Sequence, residues 1–355
     1  MRKPVAFEIS LYNRGDSGTM KEEEFAALTA SIATNLDAWA GAASVTQSTV
    51  RVRTGVREER RGWIRGGITR AELRWSAAGK GHDYRSEYIL LVLQPVATNP
   101  PAAAAQAGPS ARASAPAVVG KKDLRQNVRS ESGGVRIDGI PMVDQGDRGY
   151  CVIATTERVL RYYGRDANLH QLAQLANSSA DSGTGLHAMR GMLEKMGQKW
   201  GIRSKVEYRM GMTEFTKFLD DYNRLARKAK KSQVRVDWEK DNSSFEEIMS
   251  RMDTATALQA RAEDKAGLKN FQKLIAKNVD AGIPLLWSVT LGWVRETADL
   301  QQETGSHMRL IVGYNLPHGE ILFSDSWGAG HECKPMNLAD AWAITSDIIV
   351  IEPRG

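Results

Sequence analysis

The stretch ATNPPAAAAQAGPSARASAPAVVG constrains this chain more than any other, because it contains almost nothing that a folded core could bury. From Val96 to about Gly134 the composition is that of an inter-domain linker, and the prolines on either side of AAAA prevent a long helix there. A chain of 355 residues has material for more than one core. It is therefore expected to fold as two parts, one on each side of this break.

Residues 1–95 read as a small α+β domain. In AFEISLY, Phe7, Ile9 and Leu11 alternate with polar residues, the period of a half-buried strand. Thr19 and Glu22 have capping-box spacing, and Phe25, Leu28, Ile32, Leu36 and Trp39 follow on one helical face. TVRVRTGV alternates again, GWIRGGITRAELRW supplies one bent strand or two, and YILLVLQP reads as a more buried strand. One helix against a mostly antiparallel sheet is the expectation.

The second part, 135–355, opens with helices. CVIATTERVLRYYG places Val152, Val159, Leu160 and Tyr163 on one face, and HQLAQLA and GLHAMRGMLEKMG predict two further helices. Residues 210–280 are charged and helix-favouring, a candidate insertion. IPLLWSV, HMRLIVGYN, EILFSDSW and DIIVIEP are strand candidates, with one helix at about 337–344. Helices first and strands last predict α+β with segregated halves.

Composition excludes several functions. No apolar run is long enough for a membrane helix, and MRKPVAFEIS runs directly into alternating residues, so no signal peptide is read and a cytoplasmic location is the default. The net charge of +6 is dispersed, and its local excesses in 51–74 and RLARKAKK lack interleaved aromatics, so nucleic acid is not an expected partner. Two cysteines make no disulfide framework, and no Cys/His spacing suits a metal, so neither metal nor cofactor is expected.

The chemistry-bearing candidates begin at GDRGYC. Cys151 reads three ways: a small buried hydrophobe, a disulfide partner of Cys333, or a nucleophile. A helix opening at about Tyr150 to Val152 would put the sulfur where unsatisfied N–H groups favour a thiolate, and Gly146 and Gly149 permit a tight approach. A nucleophilic cysteine needs a histidine. His82 and His318 lie in turns, His170 and His187 on short helices, and His331 follows a glycine. His307 differs in standing at the mouth of a strand behind Gly305 and Ser306. Asp325 in SDSWG, on the next strand candidate, is placed to orient its ring across a hairpin. Gln145 and the Cys151 N–H are candidate oxyanion donors.

DQGDRGYC resembles the papain-type motif in which glutamine precedes the nucleophilic cysteine by six positions. SHMRLIVGYN resembles the stretch carrying the catalytic histidine, and SDSWGAG the stretch carrying the third triad member. With Asp325 in place of asparagine, and with GTGLHAMRGMLEKMG after the cysteine helix, residues 135–355 look most like the bacterial C39-like cysteine peptidases. The resemblance implies a papain-like domain, a helical half followed by an antiparallel sheet half. It implies a peptide or protein substrate, Cys151 as nucleophile, His307 as base and acid, Asp325 as orienter and Gln145 as oxyanion donor. Trp327 would shield the His307 to Asp325 bond, though a plain core role suits it equally. Relatives in this group are often exported, so the compartment stays open.

Aspartate for asparagine adds a negative charge beside the imidazole, which is expected to favour imidazolium. The spacing of 156 positions from Cys151 to His307 leaves room for the 210–280 segment to wall the cleft or to decorate the surface. Two other readings keep the same residues: an acyltransferase or transglutaminase-like enzyme, in which an amine resolves the thioester, and an inactive papain-like binding module. For residues 1–95 the options are a cleft-blocking pro-region, a docking module and a structural companion.

Overall fold

A computed structural model describes residues 6–52, 55–96, 119–131, 133–146, 150–165, 167–178, 184–240, 243–296 and 304–354. The chain divides into two compact units. The first comprises Met1–Ala117, Gly146–Ile153 and Asp166–Met192, and the second comprises Val118–Gln145, Ala154–Arg165 and Leu193–Gly355.

In the first unit, strand β1 (Phe7–Asn13) leads through a four-residue helix α1 (Arg14–Ser17) into α2 (Glu22–Ala40). Strands β2 (Thr46–Arg51), β3 (Arg57–Arg65), β4 (Thr69–Ala78) and β5 (Arg85–Pro95) follow. They form a five-stranded antiparallel sheet in the order β1-β5-β4-β3-β2. GWIRGGITRAELRW is thus two strands. Helix α2 buries Phe25, Ala33 and Leu36 against Trp63, Ala71, Leu73 and Ile89, and the Trp63 indole N–H donates to Asp37 at 2.7 Å. The helix begins at Glu22, with no cap from Thr19. Met20 N–H is taken by Ser86 Oγ on β5 at 2.7 Å, which holds the chain extended up to Lys21, whose N–H then meets the Glu24 carboxylate at 3.4 Å.

Within the linker, residues 97–118 lie outside the described residues. Residues 119–134, linker-like by composition, carry a 3-10 turn at Leu124–Asn127 and strand β6 (Val128–Glu131), which pairs with β7 (Gly134–Ile137). Leu124 is buried, which anchors the turn. Helix α3 (Cys151–Tyr162) starts at the cysteine and is buried at every position from Val152 to Leu160. The single apolar face read from its sequence is therefore only part of what it buries, because a helix enclosed all round shows no one-sided stripe. Helices α4 (Leu169–Ala176) and α5 (Leu186–Trp200) come next, α5 turning Met189, Leu193 and Met196 inward as their spacing predicts.

Strand β8 (Ile202–Arg209) has no counterpart in the sequence reading. The charged stretch then forms α6 (Met212–Lys228), α7 (Phe245–Met249), α8 (Thr254–Glu263) and α9 (Lys265–Val279). Helices α6, α7 and α8 share an apolar cluster that includes Phe215, Phe218, Tyr222 and Ile248, with Phe215 stacked on Phe245 at 4.0 Å. The C-terminal third supplies β9 (Leu285–Leu291), β10 (Gly305–Asn315), β11 (Glu320–Ser324), β12 (Lys334–Asn337), α10 (Leu338–Ile344) and β13 (Thr345–Pro353). The sheet order is β12-β11-β10-β9-β13-β8, with β7 added to β10. Its pairings are antiparallel. LLWSV and DIIVI are near-continuous apolar runs, as strands covered on both faces require. Trp287, Leu285 and Val350 are fully buried, and each such side chain contributes about 1.5–3 kcal/mol. This rigid sheet carries the histidine.

The chain is therefore α+β: a helix-rich region ahead of an antiparallel sheet, preceded by a small sheet domain. Among the described residues no helix is long and apolar enough to cross a membrane.

Candidate active site

His307 is the third residue of β10, opposite Val289 on β9, and is only 7% exposed. The β10–β11 hairpin pairs Leu310 with Ser324, so the residue just past β11 returns toward the start of β10. That residue is Asp325. Its Oδ1 lies 3.2 Å from His307 Nε2, with the carboxylate wholly buried.

Alternation along β10 puts Arg309 on the same face as His307. Its Nε donates to Asp325 Oδ1 at 2.8 Å, and Lys334 Nζ on β12 donates to Oδ2. Burial pushes the Asp325 carboxyl up, but the hydrogen bond from His307 and the charges of Arg309 and Lys334 outweigh it and hold the group well below the usual carboxylate range. Glu296 pairs with the far end of Arg309 at 2.7 Å. The extra negative charge that aspartate brings is thus shared with two cations besides the imidazole. The Trp327 ring stacks on His307 at 4.7 Å and 24°, a placement that covers one face of the imidazole. Both Arg309 and Lys334 lie over the Phe323 ring, at 4.5 and 5.0 Å.

Cys151 is the first residue of α3 and half-buried; neither it nor exposed Cys333 forms a disulfide. Gly146, in the lead-in, has φ +74°, which glycine adopts without strain, while Gly149 lies outside the described residues. The Gln145 N–H donates to the Ser326 carbonyl at 2.8 Å, fixing the start of the lead-in beside the Asp325 turn. Its side-chain Oε1 is buried with no hydrogen-bond partner among the described residues.

Four and seven residues past Cys151, on its helical face, stand Thr155 and Arg158. Thr155 Oγ1 lies 3.2 Å from the Met308 carbonyl and 3.2 Å from Ser326 Oγ, touching the neighbours of both His307 and Asp325. Arg158 is 1% exposed and donates from Nε to Pro141 O at 2.9 Å, from one terminal nitrogen to Asp325 O at 2.8 Å and from the other to Ser324 Oγ at 2.6 Å. Burial pulls this guanidinium down to about 10 against the charges of Asp325 and Glu332, and it remains a cation at neutral pH. The described contacts thus join His307 to Asp325 and attach Gln145 to the adjoining Ser326, while Cys151 opens the helix that holds this turn in place.

Sequence reasoning overlooked Arg158, Arg309 and Lys334, which form no motif of their own. It also set His331 aside, whose carbonyl accepts from Asp325 N–H at 3.0 Å and whose ring meets Trp327 edge-on at 5.6 Å. Glu246 of α7 is a further unforeseen partner. Its carboxylate accepts from the Ser306 N–H at 3.2 Å and hydroxyl at 2.9 Å, linking the charged segment to the residue before His307.

No curated protein matches the chain. Among solved structures, the chain is similar to the peptidase domain of Streptococcus ComA, a bi-functional ABC transporter involved in quorum sensing, at 13% identity over 61% of this chain and 99% of that one, TM-score 0.30. It is also similar to xylellain, a cysteine protease from Xylella fastidiosa, at 10% identity over 66% of this chain and 90% of that one, TM-score 0.31. The match that decides is to the model of the Peptidase C39 like family, over residues 137–349, more than half of the sequence. The chain belongs to the Peptidase C39 like family.

Proposed function

We propose that this chain is a cysteine peptidase in which Cys151, His307 and Asp325 form a catalytic triad and Gln145 assists as an oxyanion donor. The observation that carries the reading is the His307 to Asp325 contact, because it commits one ring nitrogen, Nε2, to a buried carboxylate. Nδ1 is then the nitrogen assigned to exchange protons with the sulfur, the ring being fixed by Asp325 on one edge and Trp327 on one face. Thr155 and Arg158 support the placement of Cys151, since the helix it opens is tied to residues beside both triad partners.

The Cys151 thiolate, favoured by the helix N-terminus and an imidazolium, attacks a peptide carbonyl carbon to form a C–S bond. The oxyanion is held by the Cys151 N–H and the Gln145 amide. Collapse breaks the C–N bond, and His307 gives its proton to the departing amine. His307 then takes a proton from water, whose oxygen displaces the sulfur to give a carboxylic acid and return the thiolate.

Turnover of a casein or mixed-peptide substrate, followed by mass spectrometry, tests this. New C-termini that disappear in Cys151→Ala support hydrolysis by this sulfur. Undiminished cleavage by Cys151→Ala overturns it, and new amide bonds in place of new carboxylates would indicate acyl transfer to an amine.

A further inference from the structure

The first unit holds both the N-terminal sheet and residues 146–153, so the lead-in to Cys151 packs against the domain whose role the sequence left open. Tyr150, the residue before the cysteine, is 2% exposed. Its Oη accepts the Gly15 N–H of α1 at 3.1 Å. A Cβ at position 15 would lie 2.1 Å from Tyr150 Cε1, so the ring rests directly on the backbone and only glycine leaves it room. The ring's edge faces His170 of α4 at 6.3 Å, and His170 in turn lies 5.5 Å from Tyr88 of β5. Burial pushes the Tyr150 phenol up to about 12, with Asp16 adding to the rise, so the group stays neutral at working pH.

The socket is itself anchored. Asn13 caps the turn by accepting the Asp16 N–H at 2.8 Å, and Arg14 pairs with Glu87 of β5 at 3.0 Å with both side chains buried. The same turn reaches the other end of the lead-in. A Cβ on Gly146 would stand 3.4 Å from Asp16 Oδ2.

We propose that the Asn13–Gly18 turn is a positioning element of the active site, which seats Tyr150 and through its backbone fixes Cys151. The proposal rests on the reading of Cys151 as nucleophile. It gives residues 1–95 the opposite sign from an inhibitory pro-region: disturbing the turn impairs the nucleophile instead of releasing it. The physical basis is adjacency, since Tyr150 and Cys151 share a peptide bond, and a misplacement of about 1 Å costs on the order of a hundredfold in rate.

The test uses the full chain with Gly15→Ala, which pushes against the Tyr150 ring, and Tyr150→Phe, which keeps the ring and removes the acceptor. Iodoacetamide alkylation of Cys151 is followed by peptide mass spectrometry across pH 5 to 9, with Cys333 as the reference thiol in the same molecule. The expected result for Gly15→Ala is at least tenfold slower Cys151 alkylation at pH 6, a profile displaced toward the ordinary thiol near about pH 8.5, and a fall in kcat with little change in KM. Tyr150→Phe moves the profile in the same direction by less. A merely structural role would lower the melting temperature and leave the profile of the folded molecules unmoved. Unchanged or faster alkylation and turnover in Gly15→Ala overturns the proposal. Should that variant not fold, an unmoved profile in Tyr150→Phe overturns it. Cys151→Ala separates the two readings: if it is inactive while Gly15→Ala behaves as wild type, only the positioning role fails, and if it remains active the nucleophile assignment fails.

Discussion

Arg158 donates to the Asp325 carbonyl at 2.8 Å, so the helix that begins at Cys151 holds, by its backbone, the turn that presents a carboxylate to His307. One buried guanidinium thereby ties the loop at Pro141, the Ser324 hydroxyl and the Asp325 turn to a single helix.

Replacing Arg158 by lysine keeps the charge and loses the fork, because an ammonium cannot span three acceptors lying in different directions. Arg158→Lys is expected to lose about 2–4 kcal/mol of stability through buried acceptors left unpaired, and to slow turnover as the Asp325 turn loosens. Urea unfolding with parallel kinetics checks both.

Asp325→Asn removes the charge that Arg309, Lys334 and His307 share. Arg309 is fully buried and is left facing a neutral amide, so the substitution is expected to cost about 3–5 kcal/mol. Because asparagine can still accept from the imidazole, activity should fall further than stability accounts for only if the carboxylate's charge matters to proton transfer. Comparing kcat of Asp325→Asn and Asp325→Ala in the folded state reads this directly. The account predicts at least a hundredfold loss in both.

Acid should weaken the fold in two stages. His170 is buried and pulled down to about 4 from 6.5, so the unfolded chain binds this proton first. Its folded value lies below its unfolded one, so its contribution, on the order of 3 kcal/mol, is complete above about pH 6.5 and is lost as pH falls toward 4. Asp325 is also depressed, so its contribution persists at pH 5 and is lost only below about pH 4, as pH falls through the folded value. Urea midpoints measured from pH 7.5 to 3 should show both limbs, and His170→Gln should flatten the upper one.

Glu246→Ala cuts the two hydrogen bonds to Ser306 without touching a buried group. The expected loss is about 1 kcal/mol or less of stability, with a fewfold drop in kcat/KM, since the start of β10 then holds His307 less firmly. Steady-state kinetics on the purified variant gives the answer.

The sequence was most informative where chemistry and local geometry coincide. His307 behind Gly305 and Ser306, Asp325 one hairpin away and Cys151 at a helix start are all features of short-range spacing; His307 and Cys151 sit on the strand and helix start expected for them, whereas Asp325 lies one residue past the end of its strand. The linker's far end was misread because Val128–Glu131 is a strand of only four residues among polar neighbours, paired through contacts that composition does not register. Strand β8 was missed for a related reason: IRSKVEYR is a charged edge strand, with apolar residues only at alternate positions, specified by its pairing with β13. Arg158, Arg309 and Lys334 were invisible because a charged residue inside a helix or strand reads as solvated until the fold buries it. The role of Gly15 was equally hidden, since its demand for a missing side chain is set by Tyr150, far along the chain.

The central claim is that His307 and the start of α3 keep Cys151 as a thiolate at a pH where an ordinary thiol is protonated. Alkylation of Cys151 by iodoacetamide at pH 6, compared between the wild-type protein and His307→Ala, measures this most directly. The account predicts rapid labelling of Cys151 relative to Cys333 in the wild type and a loss of at least tenfold in His307→Ala. Labelling of Cys151 no faster than that of Cys333, or equal rates in the two proteins, would contradict it.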